Sequence, residues 1–214
     1  GHALSQLLHN HCAELNLSSC HILYCNNQEM DLLAEHGWHT RYSTQFHWFN
    51  YDYHNFEDFL DRFKSRKRKS VIKERQSIKD QNIEIQWIEG NDISSEQWEF
   101  FYYCYQLTYA KRGMQGYISL EGFKNLQQEI GQQMLMVKAY QSDQAVACAL
   151  FFKGSKNLYG RYWGCTKDIP NLHFEVCYYQ GIEYCIKHDL EHFDPGTQGE
   201  HKISRGFEPV FKHS

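Results

Sequence analysis

The period of the apolar positions changes along the chain, and each change predicts an element. Leu4, Leu7, Leu8 and Leu15 recur at helical spacing, so 3–16 reads as a helix with one apolar face. Residues 19–25 (SCHILYC) predict a short strand, 28–36 a second helix stopped by Gly37, and 38–50 a long alternating strand. Asn55 is placed to cap a helix running from Phe56 to about Asp80. Residues 83–89 (IEIQWIE) alternate as a strand. Ser94 with Gln97 three residues on forms a capping box for a helix to about Lys111, and 119–132 predicts another helix. Three strand-like runs follow at 134–140, 145–153 and 157–165, separated by short polar turns, so they predict consecutive antiparallel strands. Asn171 then caps a helix from Leu172 to about His188, and 191–212 breaks into short strands and turns. This order predicts an α+β fold, a mostly antiparallel sheet flanked by helices. A short N-terminal α/β segment (1–45) precedes the main domain (46–214).

Two helices carry a residue that their apolar pattern does not explain. At about 100° per residue, Leu172, Phe174, Tyr178, Tyr179, Ile182, Cys185 and Ile186 share one arc, and Glu175 falls in its middle. A carboxylate there needs a partner. It either satisfies free N–H groups in the first helical turn or points into a cleft as a general base or substrate clamp. The expected partners are a cation such as Arg161, Lys202 or Arg205, a tyrosine hydroxyl, or backbone N–H groups. In the helix from Phe56, the face begun by Phe59, Leu60 and Phe63 continues to Lys67, Ser70 and Glu74, so its second half should meet something polar.

Charge sharpens this picture. The chain totals −4, yet residues 62–75 hold eight cations against the single acid Glu74. That is a local basic device on an acidic body. Arg62, Arg66, Lys69 and Lys73 line up as a stripe. They read either as a solvated face or as a contact for a phosphate-rich partner, whether CoA, a nucleotide-linked precursor or tRNA. The 42% apolar and 22% charged residues exclude wholesale disorder. No apolar run is long enough for a membrane-spanning helix, and no signal-peptide pattern opens the chain. The 8 cysteines sit largely among apolar residues and predict free thiols in a reducing cytoplasm. There is no CxxC pair, and His36 with His39 or His173 with Cys177 lacks a second half, so no metal site is expected.

The densest chemistry lies in 193–209. Gly196, Gly199 and Gly206 permit tight turns around Glu200, His201, Lys202 and Arg205, an acid, a titratable ring and two cations within six residues. Arg161 lies amid Tyr159, Tyr162 and Trp163, where it can stack or clamp an anion.

Tyr159-Gly-Arg-Tyr-Trp-Gly-Cys165, Leu172-His-Phe-Glu-Val-Cys-Tyr-Tyr-Gln180, Gln198-Gly-Glu-His-Lys202, Arg205-Gly-Phe-Glu-Pro209 and the basic run Ser65–Arg75 together resemble the FemAB-like bacterial family. That family belongs to the wider GNAT acyltransferase superfamily and is labelled peptidoglycan biosynthesis/recognition. The resemblance runs from about Phe46 to the end. It implies a GNAT-like sheet that splays where the acyl donor enters, and a preceding GNAT-like half of which 1–45 would be a remnant or link. It also implies transfer of an acyl or aminoacyl group to an amine, with a small-molecule or glycopeptide acceptor such as a peptidoglycan precursor. No permanently bound cofactor is implied. The donor is acyl-CoA or aminoacyl-tRNA. The loop Gly164–Asn171 lacks the Gln/Arg-x-x-Gly-x-Gly/Ala pattern of CoA-binding domains, and Lys111-Arg-Gly-Met-Gln-Gly116 has the wrong spacing, which moves weight toward aminoacyl-tRNA.

On this reading Glu175, His201 or Glu200 supplies the base. Tyr159, Arg161, His173, Tyr178, Gln198, Lys202 and Arg205 bind substrate, and Arg66, Arg68, Lys69 and Lys73 meet donor phosphates. Two rival readings use the same residues: a non-catalytic recognition module for an anionic glycopeptide, and a nucleic-acid-binding domain acting through the basic helix.

Overall fold

The computed structural model describes residues 2–23, 25–197 and 199–213. These form two compact bodies, one of residues 46–208 and a smaller one of 1–45 with 209–214.

The smaller body contains α1 (His2–Glu14) and α2 (Asn27–Glu35). A capping box starts α2: the Asn26 side chain accepts the Glu29 N–H at 3.0 Å, and Glu29 accepts the Asn26 N–H at 2.8 Å. Its C-terminal stop is Gly37, at φ +82°. Leu4, Leu7 and Leu15 are all more than half exposed, so the apolar face expected of the first helix is not buried. The strand expected at 19–25 is absent from the described residues of that run, and Tyr24 lies outside them. A strand needs a ladder partner, and an apolar run alone does not supply one. For the same reason the strand expected from residue 38 starts only where pairing does, as β1 (Tyr42–Phe49).

In the larger body the strands are β1, β2 (Ile83–Glu89), β3 (Met134–Gln141), β4 (Gln144–Lys153), β5 (Asn157–Cys165) and β6 (His192–Asp194). They lie in the order β2-β3-β4-β5-β6-β1, with β7 (Glu208–His213) next to β1. The β2–β3, β3–β4, β4–β5 and β6–β1 pairs are antiparallel, while β5 and β6 pair in parallel. The expected α+β class and the three-strand meander are therefore present. Alternation along β3 and β4 sorts the core to two faces. Leu135, Val137, Ala147, Ala149 and Phe151 face α3 (Phe56–Asp61), α4 (Ser65–Lys79) and the helix of 172–187. Met134, Met136, Cys148 and Leu150 face α5 (Ser95–Ala110) and α6 (Leu120–Ile130).

Three helical expectations need correction. The single helix from Phe56 is two helices, broken at Arg62–Lys64 although neither Gly nor Pro is present. Arg62 is drawn out of line by Tyr53, whose hydroxyl accepts its guanidinium at 2.7 Å, and by the Tyr51 ring 4.0 Å away. Lys64 then turns extended, at ψ 145°. The helix of 172–187 is also interrupted: α7 (Leu172–Phe174) passes into a π-helical turn at Glu175–Tyr179 before α8 (Gln180–Lys187). Asn171 does not cap it through its side chain. That residue sits at φ +67°, and its amide donates to Ser77 Oγ at 2.9 Å.

Candidate functional site

The parallel register of β5 and β6 runs only from Asn157↔His192 to Tyr159↔Asp194. Beyond it the strands part, and a cleft of about 330 Å³ opens between Gly160–Trp163 and Pro195–Thr197. The register on the other edge of β5 slips here: Leu150 faces Tyr162 and Phe151 faces Gly160, so Arg161 is the extra residue of a β-bulge. Bulges re-aim side chains beside open sites, and Arg161 lines this one. Its guanidinium reaches Asp194 at 3.3 Å and the Gly160 carbonyl at 2.9 Å.

The π turn builds the next wall. Its Gln180 N–H bonds the Glu175 carbonyl, five residues back. In an α-helix, residues five apart point roughly 140° away from each other. Here His173 and Tyr178 meet edge to face at 5.1 Å, and both line the cleft with Cys177. A 3₁₀ turn at Glu200–Arg205 closes the third side with His201 and Lys202. Gly199 and Gly206 bracket it at φ +106° and +91°.

The Tyr178 hydroxyl and His201 Nε2 lie 2.9 Å apart. Burial, then Arg205 and Lys202, pull His201 below its ordinary range. Burial, with the cations of His201, Lys202 and Arg205 behind it, holds His173 neutral down to about pH 4. Burial also pushes the Tyr178 phenol up. Lys202 is 1% exposed, and its ammonium donates to the Gly196 carbonyl at 2.6 Å. Burial lowers its pKa to about 8, against the pull of Asp194. For Asp194 itself burial favours the neutral acid, but the Gly196 N–H, Arg161 and His47 outweigh it and keep the carboxyl below its ordinary value.

Behind the helix of 172–187 lies an ion network. Glu74 takes both Arg205 Nε at 3.0 Å and Nη2 at 2.8 Å, and it accepts the Tyr179 hydroxyl. Arg75 makes the reverse pair: its Nε and Nη2 reach Glu175 at 3.2 and 2.9 Å, and Nη2 also reaches Glu183 at 2.8 Å. Burial disfavours the Arg75 charge, but Glu183 and Glu175 together raise its pKa. Gln180 adds a bond to Glu175 at 2.8 Å, again a contact over five residues. Arg205 Nη1 donates to the His201 carbonyl at 2.8 Å, which fixes the turn that carries His201.

The structure thus gathers Arg161, His173, Tyr178, His201 and Lys202 at one cleft. It places the other candidates elsewhere. Glu175 is buried as expected, at 4% exposure, but its cation is Arg75 and not Arg161, Lys202 or Arg205. Glu200 is exposed and does not line the cleft, and Tyr159 accepts from the Asn157 amide outside it. Arg205 is bound by Glu74. Gln198 lies outside the described residues. Arg66, Lys69 and Lys73 are exposed on α4, Arg68 pairs with Asp61 at 2.7 Å, and none of the four lines the cleft. Sequence reasoning missed the contribution of α5. Tyr105, Thr108 and Tyr109, with Arg112 just beyond, line the cleft. The tyrosine spacing on that helix was the available signal. The described residues contain no cluster of three or more His, Cys, Asp or Glu able to hold a metal ion, and no helix long and apolar enough to cross a membrane.

A mostly antiparallel sheet whose one parallel pair opens into a basic, aromatic cleft is the architecture of the solved structures that this chain resembles. The chain belongs to the FemAB-like family, described as peptidoglycan biosynthesis/recognition, whose model matches residues 1–214. FemX is similar at a TM-score of 0.60 and 11% identity, over 98% of this chain and 74% of that one. L-PGS from Bacillus licheniformis gives 0.56 and 11%, over 86% and 63%. A conserved protein of unknown function from Bacteroides thetaiotaomicron VPI-5482 gives 0.55 and 12%, over 98% and 74%. These likenesses show the fold, and the chain spans between about three fifths and three quarters of their lengths. No curated protein matches it significantly by sequence.

Proposed function

We propose that the larger body transfers an acyl or aminoacyl group to an amine acceptor, a peptidoglycan precursor or a related glycopeptide, within the cleft between β5 and β6. The observation that carries this is the His201–Tyr178 pair at 2.9 Å on the wall of an open, basic cleft. Attack on an ester or thioester carbonyl requires a neutral amine and a group to take its proton. His201, pulled below its ordinary pKa, is neutral at pH 7 and is free to accept that proton. The amine nitrogen forms the new bond to the carbonyl carbon, the bond to the leaving oxygen or sulfur breaks, and the proton passes from nitrogen to His201 and on to the leaving atom. Lys202 and Arg161 supply positive charge where the carbonyl oxygen gains electron density. Glu175 is a poorer base, because a bidentate arginine stabilises its ionised form.

The donor we favour is aminoacyl-tRNA. The segment after β5 offers few free N–H groups for a pyrophosphate: Pro170 has none, and the Leu172 N–H is bonded to the Ile169 carbonyl at 3.2 Å. Arg66, Lys69 and Lys73 present a basic surface of the kind that phosphodiesters meet.

The test is incubation of the protein with charged tRNA or acyl-CoA and a muropeptide precursor, followed by mass spectrometry of the acceptor. Transfer from charged tRNA, reduced about 10²–10⁴-fold in His201→Gln, is the expected result. Saturable acceptor binding with no donor loss would make the protein a recognition module instead.

A further inference from the structure

We propose that the inner end of the cleft is a seat for one anionic group of the substrate, a carboxylate or a phosphate, held by Lys202 and Arg161 with Arg112 at the rim. This names a substrate class for the transfer cleft and rests on that reading for its biological use, though not for its chemistry.

Three cations line the cleft, and no Asp or Glu does so among the described residues. Lys202 is the telling one. Its side chain is almost fully removed from water, yet its ammonium has one hydrogen-bonded partner, the neutral Gly196 carbonyl. No carboxylate lies within 4.0 Å of it among the described residues, whereas every other buried or half-buried cation of the adjoining network has one. An ammonium carries three donors, and burial without a counter-ion is costly unless something supplies the charge. The neighbours do not. Asp194 is turned to Arg161 and the Gly196 N–H, Cys177 and Tyr178 present a thiol and a phenol whose pKa values are raised, and His173 and His201 are neutral rings. Arg205 adds positive charge but is committed to Glu74. Arg161, on its bulge, keeps donors beyond those given to Asp194 and Gly160, and Arg112 is exposed where the cleft opens. Aromatic side chains such as Trp163 and Tyr109 form the walls, which keep the local dielectric low and strengthen any ion pair formed there. An anionic group that enters gains a desolvated cation already in place, and a neutral isostere gains nothing comparable.

The experiment is an NMR titration of the full chain with N-acetylglycine, its neutral amide N-acetylglycinamide, and inorganic phosphate. We expect N-acetylglycine or phosphate to bind at least ~10-fold more tightly than the amide, a difference of about 1.4 kcal/mol. The tighter of the two identifies the group as carboxylate or phosphate. Anion affinity should fall as pH rises through about 8, where the Lys202 ammonium loses its proton. Lys202→Met and, separately, Arg161→Gln should each weaken the anion and leave the amide unchanged. The wild-type comparison stands even if Lys202→Met does not fold. Equal affinity for the amide, or anion binding untouched by both variants and by pH, would overturn the seat. The two proposals fail separately. His201→Gln should still bind N-acetylglycine while losing transfer, and a protein that seats the anion but never transfers refutes only the reaction.

Discussion

The helix of 172–187 divides two polar regions of opposite character. On its α4 side, Glu74, Arg75, Glu175, Glu183 and Arg205 form a closed set in which each charge meets its opposite. On its cleft side, Lys202 and Arg112 meet no carboxylate among the described residues, and Arg161 shares Asp194 with a backbone N–H. The residue types are the same in both. What differs is whether the counter-charge comes from the chain. A closed set contributes to holding elements together, and an open one is poised to take a ligand.

The largest test of this contrast is to open the closed side. Arg75→Ala leaves the Glu175 carboxylate buried without its cation, and should lower unfolding free energy in urea by about 3–5 kcal/mol. Arg161→Ala, on the half-exposed cleft side, should cost less than about 1 kcal/mol. Equal losses would erase the distinction.

A smaller effect comes from the neutral ring in the cleft wall. His173 titrates near 6.5 when unfolded and near 4 when folded. Between those values the unfolded chain binds a proton that the folded chain refuses, so stability falls as pH drops through that window. The contribution is roughly 2–3 kcal/mol, fully present as a loss only near pH 4 and absent above about 6.5. Comparing pH-dependent urea midpoints of wild type and His173→Gln isolates it, since other carboxylates titrate alike in both. An unchanged slope would mean that the ring is reached by water.

The smallest effect on stability belongs to the basic stripe. Arg66, Lys69 and Lys73 changed together to Gln should shift unfolding by less than about 1 kcal/mol. Binding of tRNA, followed by anisotropy against salt, should weaken and lose roughly 0.7–0.9 of log–log slope per contact removed. A large loss of stability with unchanged tRNA binding would make the stripe structural.

What could be read from the sequence was what local pattern decides. The meander of β3, β4 and β5 was legible because alternation and turns are local properties. The polar inner face of α4 was legible too: Glu74 finds Arg205, and the Lys67 ammonium donates to the Ile203 carbonyl at 2.5 Å. That Glu175 needed a partner followed from its apolar neighbours. The partner's identity did not, because Arg75 sits in a run whose other cations are mostly solvated and nothing local sets it apart. The break at Arg62 depends on Tyr51 and Tyr53, and the cleft depends on where β5 and β6 part. Both are tertiary facts. The π turn escaped for the same reason, since it is held by partners five residues apart that a 3.6-residue period cannot register.

That turn makes the count of residues a functional quantity. A point substitution between Leu172 and Lys187 alters one side chain. Loss of a single residue would let the segment relax into an uninterrupted α-helix and rotate everything after it by about 100°. The shortened helix would be the more regular one, yet His173 and Tyr178 would look in different directions and Glu175 would lose Gln180. Length here is therefore less free to drift than composition, and a relative lacking one residue in this stretch would be expected to lack this cleft's chemistry as well.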